Sequence, residues 1–383
     1  MGSGNEDKVG LILTGGGARA AYQVGVLKGV AHVLPRHLTQ FFPIIVGTSA
    51  GAINAAVLAS YSNRMRIGLR RLETVWKNFH THNVYRSDFR GVFTHVMRWS
   101  NTMMQSGENR YPIAMLDNRP LKKLLSKLIP LGQIEENISQ GHLYALCIAA
   151  SCYSTGESIN FFQGAQEIVP WQRVRRRGVR TTIKLNHLMA SSAMPLLFPS
   201  VRIQRLYYGD GSLRQLAPIS PAIHLGAKRI FIIGLNSRDE PPQDMESTLS
   251  PPTIAEISGH MLDSAFGDAL ETDLERLMRI NSTLSTIERD IELDQGRTQL
   301  KRLKVLTISP SRDLGAIAAK HRFALSPTLR FFFNLLGAMN TRSSSILSYL
   351  LFEPGYTREL IRLGYRDALA QAQEIREFYN IPS

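Results

Sequence analysis

Short apolar runs alternate with helix-period stretches along the first two thirds of the chain. Val9 to Thr14 reads as a buried strand, Ala18 to Leu34 as a helix, Ile44 to Val46 as a second strand and Ala50 to Ala59 as a helix of small residues. Strand and helix in alternation are the mark of an α/β fold with a parallel sheet. The pattern predicts further strands at Leu143 to Ala149, Ser158 to Phe162, Ile203 to Tyr208, Arg229 to Leu235 and Val305 to Ser309, each bounded by polar residues, Gly or Pro. Helices are predicted at Leu116 to Ile129, at Leu188 to Ala193 and near Ile254 to Glu288, with a mobile loop over Arg238 to Pro252. Residues 320 to 383 lack a strand pattern and read as helices, among them the apolar patch Phe331, Phe332, Phe333, Leu335, Leu336 and an amphipathic stretch from Tyr356 to Phe378. The expected organisation is an α/β domain over 8–310 with a helical extension over 320–383.

Composition narrows the class. In 383 residues, 44% are hydrophobic and 20% charged, enough apolar material for a folded core. The formal charge of +14 favours anionic partners, nucleic acid or an acidic lipid surface. Cys147 and Cys152 are too few for a disulfide framework, and Cys147 lies in an apolar run, so a reducing, cytoplasmic setting is expected. The polar start Met1 to Lys8 leads into only a short apolar run, unlike a secretory signal, and Glu6 stands where myristoylation wants Ser or Thr. Leu38 to Asn63 is uncharged and long enough to span a bilayer, but Pro43, Asn54 and several Gly and Ser interrupt it; it reads as a buried strand, turn and helix.

Three constellations carry candidate chemistry. Gly15-Gly16-Gly17-Ala18-Arg19-Ala20 joins a strand to a helix, where consecutive backbone N–H groups can face one point. It reads as a dinucleotide fingerprint, an oxyanion hole or a ligand-free turn; the first wants an acidic residue about 20 positions on, and none occurs between Asp7 and Glu73. Gly47-Thr48-Ser49-Ala50-Gly51 follows a strand and precedes a helix, the context of a nucleophile elbow, with Gly47 and Gly51 permitting the sharp turn. A serine needs a base within reach. His187 and His224 are the histidines nearest the sheet elements, in positions that suit a helix face or cap. Tyr207-Tyr208-Gly209-Asp210-Gly211-Ser212 ends a strand on a carboxylate between two glycines, either a hairpin turn or a catalytic Asp on a tight loop.

Taken in order, these motifs resemble the patatin-like phospholipase family. Gly15 to Arg19 resembles its oxyanion loop, Gly47 to Gly51 its elbow, Ser191 to Pro199 its Pro-containing helix and loop, and Asp210-Gly211 its dyad acid; the likeness runs from about Lys8 to Asn236. Ala20 replaces the Gly that often closes the oxyanion motif, and Ser212 stands where Gly or Ala usually follows Asp-Gly. The resemblance implies a three-layer α/β/α sandwich and a serine lipid acyl hydrolase of phospholipase A or lysophospholipase type. Ser49 and Asp210 would form the dyad, Gly15, Gly16, Gly17 and Ala18 the oxyanion hole, and Arg19 a substrate-binding residue, with no cofactor. An acyltransferase using the same dyad and a non-catalytic lipid-binding protein are the alternatives.

The remaining signals concern partners. The expected partner is a phospholipid or other lipid ester. The run Arg173, Arg175, Arg176, Arg177, Arg180 is a solvated loop or a peripheral contact for anionic membrane headgroups, and it lacks the aromatic interleaving that RNA binding would need. The patch Phe331 to Leu336 either packs in helices or inserts at a membrane surface. No His/Cys cluster has metal-ligand spacing, and Asp290-x-Glu292-x-Asp294 is followed by Gln295 where a calcium loop needs Gly.

Overall fold

The structure, a computed structural model, describes residues 7–86, 114–237, 253–290, 302–335 and 344–382. Its centre is a ten-stranded sheet: β1 (Val9–Leu13), β2 (Ile44–Thr48), β3 (Ala145–Cys152), β4 (Ser158–Gly164), β5 (Trp171–Arg173), β6 (Arg176–Arg180), β7 (Val201–Ile203), β8 (Leu206–Asp210), β9 (Arg229–Ile233) and β10 (Lys304–Ile308). The order is β10-β9-β1-β2-β3-β4-β6-β5, with β8 also on β3 and β7 on β8. The five strands from β10 to β3 are mutually parallel.

Both faces of this sheet are covered, which is why its strands read as unbroken apolar runs. Leu11, Leu13, Ile45, Leu146, Phe231 and Ile233 meet one helical layer, built from Ala21–Val33, Ala50–Ser60 and Pro354–Ala370. Ile12, Ile44, Val46, Cys147, Ile230 and Ile232 meet the other, built from Ser220–His224 and Ala269–Asp290. The fold is therefore an α/β sandwich with a mostly parallel sheet and C-terminal helices. Inside the uncharged Leu38 to Asn63 stretch lie β2 and the helix Ala50–Ser60, and the polar residue there has partners. Asn54 donates to Ala20 O and Gln23 Oε1 and accepts from Trp76 Nε1, so the polar group is buried without an orphan. No helix among the described residues is long and apolar enough to cross a membrane.

Several predicted elements differ in detail. Ile203 to Tyr208, expected as one strand, is the turn of a hairpin between β7 and β8, with Gln204 at φ 55. The polar pair Gln204-Arg205 between Ile203 and Leu206 is the local reason. The helix expected from Ala18 begins as a 3-10 turn, Gly17–Ala20, and becomes α-helical at Ala21. The basic run folds as the edge hairpin β5–β6, turning at Val174 and Arg175. The long helix near Ile254 to Glu288 is Ile254–Asp263 and Ala269–Asp290 joined by a wide π turn, Ser264–Asp268, and the Tyr356 to Phe378 stretch breaks at Gln371. The predicted loop over Arg238 to Pro252 lies outside the described residues, as do Glu292, Asp294 and Leu336.

The C-terminal helix Pro354–Ala370 lies directly on Ala21–Val33. A Cβ on Gly25 would come within 2.2 Å of Ile361 O, one on Gly364 within 2.3 Å of Tyr22 O, and one on Gly29 within 2.5 Å of the Ala368 Cβ. Bare backbone on both helices lets their axes approach, and Tyr22 Oη donates to Asp367 Oδ2 at 2.9 Å across the contact.

The elbow has the same dependence. A Cβ on Gly51 would lie 2.3 Å from Leu13 O and 2.5 Å from Thr14 O, backbone atoms that cannot swing aside. Gly51→Ala should therefore cost about 1–3 kcal/mol through overpacking and lower the thermal midpoint. Gly132→Ala, where the added methyl meets nothing within 4 Å, should leave the midpoint unchanged or slightly higher in the same melting experiment.

Candidate active site

β3 brings Ser49 and Asp210 together. β2 pairs with its first residues, ending at Thr48 opposite Ala149, and β8 continues along the same edge in the antiparallel sense with Asp210 opposite Ala150. The residue after β2 is Ser49 and the last residue of β8 is Asp210, so two chain segments that abut end to end on one template must present these side chains to each other. Gly211 makes the junction passable, since a Cβ there would sit 2.4 Å from Ala149 O.

Ser49 occupies φ 55, ψ −126, a conformation a non-glycine residue rarely adopts and one that costs about 1–3 kcal/mol. Its backbone N–H donates to Ser191 Oγ at 2.9 Å and its hydroxyl donates to Asp210 Oδ2 at 2.6 Å. The other oxygen, Oδ1, accepts from the Ser212 N–H at 3.0 Å. Both side chains are almost wholly buried. Burial raises the Asp210 pKa to about 6, and the hydrogen bonds from Ser49 and Ser212 hold it from going higher. A carboxylate lifted this way is a far better proton acceptor than an exposed Asp, yet it is still mostly ionised at neutral pH.

Of the glycine loop, Gly17 lines the same pocket as Ser49. Gly15 lies against Phe266 and the Ser212 Oγ, Gly16 against Leu235, and Ala18 is buried within the turn. Gly17 is in the left-handed region at φ 54, where a Cβ would also fall 2.2 Å from Tyr349 O. Arg19 is buried behind the loop, off the pocket wall. Its guanidinium donates to Ser348 Oγ, Asp263 Oδ1, Tyr349 Oη and Ser345 Oγ, and stacks 3.9 Å from the centre of the Tyr349 ring. Burial opposes its charge, but Tyr349 and Asp263 more than offset that and hold its pKa above the ordinary value.

Ser49, itself buried, lines a small apolar pocket. Leu72, Val75 and Trp76 come from the helix Met65–Lys77, Leu121, Leu125 and Leu128 from Arg119–Leu128, Met194 and Phe198 from the segment after Ser191, Tyr349 and Leu350 from the helix Ser344–Leu350, and Phe352 from the connection that follows it. Beyond Gly17, Ser49 and the Ser191 to Pro199 segment, the pocket-lining residues were not legible as site residues, although Leu69, Leu72 and Trp76 keep helical spacing that marks one buried face. Nothing in their local sequence says that this face looks onto Ser49.

The histidines lie elsewhere. His187 is buried with Nδ1 accepting from the Lys184 N–H, and burial lowers its pKa to about 4; His224 stacks on Trp171. Among the described residues neither Ser49 nor Asp210 hydrogen-bonds to a histidine, and no group of three or more His, Cys, Asp or Glu is gathered to hold a metal ion.

A strand-borne serine elbow against a buried Asp-Gly carboxylate, with a glycine loop beside it, agrees with the comparison of whole families: the model of the patatin-like phospholipases matches residues 11–223, more than half of the chain. The chain belongs to the patatin-like phospholipase family. That membership supports lipid acyl hydrolysis as its general activity. Among solved structures, VipD from Legionella pneumophila aligns with 12% identity and a TM-score of 0.39, covering 96% of this chain and 67% of that one. Comparison with curated proteins finds no match. Ser49, Asp210 and the glycine loop all fall inside the patatin-like match, whereas Asp263, Tyr349, Leu350 and Phe352 fall outside it.

The raised Asp210 pKa has a consequence for stability. Between pH 3.8 and about 6 the folded state holds a proton that the unfolded chain has lost, so stability falls as pH rises through that window and stays lower above it. Asp210→Asn removes the ionisation. It should raise the melting temperature at pH 7–8, with a stabilisation on the order of 1–3 kcal/mol, and the gain should shrink towards pH 4 when melting is followed across pH.

Proposed function

We propose that the protein cleaves carboxylic ester bonds of membrane lipids, in the manner of a phospholipase A or lysophospholipase, through a Ser49 acyl-enzyme with Asp210 as the base. The contact that carries this reading is the 2.6 Å hydrogen bond from Ser49 Oγ to Asp210 Oδ2 at the apolar pocket that Ser49 lines. Asp210 Oδ2 takes the hydroxyl proton as Oγ attacks the ester carbonyl, and the tetrahedral oxygen draws on backbone N–H groups of Gly16 to Ala18 and on the N-terminus of the helix Ala50–Ser60. Collapse expels the alcohol, which recovers the proton from Asp210. A water molecule then gives its proton to Asp210, attacks the acyl carbonyl and releases the fatty acid, restoring Ser49. The pocket walls, almost entirely Leu, Val, Trp, Phe and Met side chains, suit an acyl chain.

Ser49→Ala should abolish both labelling by a fluorophosphonate probe and ester hydrolysis. In the wild type, kcat/KM should climb about tenfold per pH unit below 6 and level off above it, because the ionised Asp210 is the active form. Undiminished hydrolysis by Ser49→Ala, or a pH profile flat from 4 to 8, would count against this mechanism.

Contact with an anionic membrane also has a place in this reading. The helix Arg119–Leu128 turns Leu121, Leu124, Leu125 and Leu128 into the pocket, contains no acidic residue, and exposes Lys122, Lys123 and Lys127 on its other side. Arg119 is paired with Asp117 at 2.5 Å. The Arg173 to Arg180 hairpin lies at the far edge of the sheet, four strands from β2, with Arg177 paired to Glu157 and Arg180 donating to main-chain carbonyls. At about 1 kcal/mol per lysine near an anionic surface, changing Lys122, Lys123 and Lys127 to Gln should weaken sedimentation with anionic vesicles roughly 100-fold at 0.1 M salt, while hydrolysis of a soluble ester is unchanged. Equal binding by the triple variant would place the contact elsewhere.

A further inference from the structure

Among the described residues, a densely hydrogen-bonded polar cluster away from the dyad draws four of its members from outside the family match. Asp263 ends the helix Ile254–Asp263, and Ser345, Ser348 and Tyr349 belong to Ser344–Leu350. All four converge on Arg19. Asp263 Oδ1 accepts from Arg19 Nη1 at 3.0 Å and from Tyr349 Oη at 2.8 Å, while Oδ2 accepts from Ser345 Oγ. Among the described residues Asp263 is the one carboxylate paired with this buried guanidinium. Ser348 Oγ accepts from Arg19 Nε at 2.6 Å and donates to Ser345 O, so the hydroxyl is satisfied on both sides.

The same helix touches the loop directly. The Arg19 N–H closes a turn on Gly16 O at 3.0 Å, so the arginine is part of the loop's backbone geometry. The carbonyl of Tyr349 occupies the place a Cβ of Gly17 would need, and the Tyr349 ring packs on Phe266, which itself fills the space beside Gly15. Helix, π turn and loop thus form one packed unit. The side chain that holds them together is a cation with its donors spent on residues more than 240 positions away in sequence.

We propose that Asp263 and Tyr349 are positioning residues for ester hydrolysis: through Arg19 they fix Gly16 to Ala18 at the height over Ser49 where backbone N–H groups meet the tetrahedral oxygen. The helix Ser344–Leu350 is then a working part of the active site. The proposal rests on the hydrolase reading above and adds to it a dependence on residues beyond 11–223. It separates two roles for the C-terminal helices. Loss of the pocket wall changes which acyl chains are accepted; loss of the clamp slows turnover for every chain length alike.

The test uses the full chain with Asp263→Asn and Tyr349→Phe, each assayed on short-chain and long-chain soluble esters and normalised to sites titrated by a fluorophosphonate probe. Titration counts only folded, competent sites, so a variant that folds poorly still yields a turnover per site. The expected result for Asp263→Asn is a loss of kcat per titrated site of at least tenfold, equal for both chain lengths, with KM within about threefold of the wild type. Tyr349→Phe should show a smaller loss of the same kind. Adding Arg19→Lys to Asp263→Asn should cost little more than the larger single loss, since both changes break one unit. Unchanged kcat per site in Asp263→Asn would overturn the proposal, as would a loss confined to KM or to one chain length. A wild type that is labelled and active separates that failure from the other one: no labelling of Ser49 and no hydrolysis in the wild type removes the hydrolase reading, and this proposal with it.

Discussion

Everything in this molecule that bears on its chemistry depends on how β3 shares one of its edges. A parallel strand, β2, uses the first half of that edge and an antiparallel strand, β8, uses the rest. The hydrogen-bond ladder fixes both registers, and a slip of one residue in either would turn its side chains to the opposite face. The Ser49 to Asp210 contact is thus held by main-chain pairing rather than by flexible loops. The strain at Ser49 is tolerable on the same ground, because the strand before it and the small-residue helix after it are each locked into the sandwich.

Much of this was legible in the sequence. β1, β2 and β9 are short runs dominated by Val, Ile, Leu and Phe, with their polar residues, Thr48 and Arg229, confined to strand ends, as a sheet buried on both faces requires. The elbow and the Asp-Gly turn could be found because their chemistry demands glycine at fixed offsets: Gly47, Gly51 and Gly211 each face a backbone or Cβ atom that leaves no room for a side chain. Where the pattern misled, the reason is local and specific. Gln204 and Arg205 are two polar residues inside an otherwise strand-like run, and two residues suffice for a hairpin. The arginine run hid β5, at the sheet edge, and β6 beside it, because strands at the margin of a sheet tolerate charge and need little apolar content.

The part that stayed hidden is long-range. Tyr349, near a helix end, and Phe352, just past it, have ordinary local sequence, and nothing near them encodes that they line one pocket with Ser49. Arg19 illustrates the limit of reading by motif: its neighbours suggest a loop residue near substrate, whereas its length and four guanidinium hydrogen bonds are used behind the loop, on partners supplied by distant helices. A family match to 11–223 spans Ser49 and Asp210 and leaves out one wall of their pocket.

The bare-backbone contact between the first and last long helices sets a clock on synthesis. Tyr22 and Asp367 are 345 residues apart, and at about 5–20 residues per second a ribosome needs roughly 20–70 s to make the intervening chain. Over that interval the helix Ala21–Val33 has its glycine face open and the glycine loop lacks its outer cover. Ser49 and Asp210 both emerge well before the residues that roof them. The pocket over Ser49 therefore closes late, as the final helices dock.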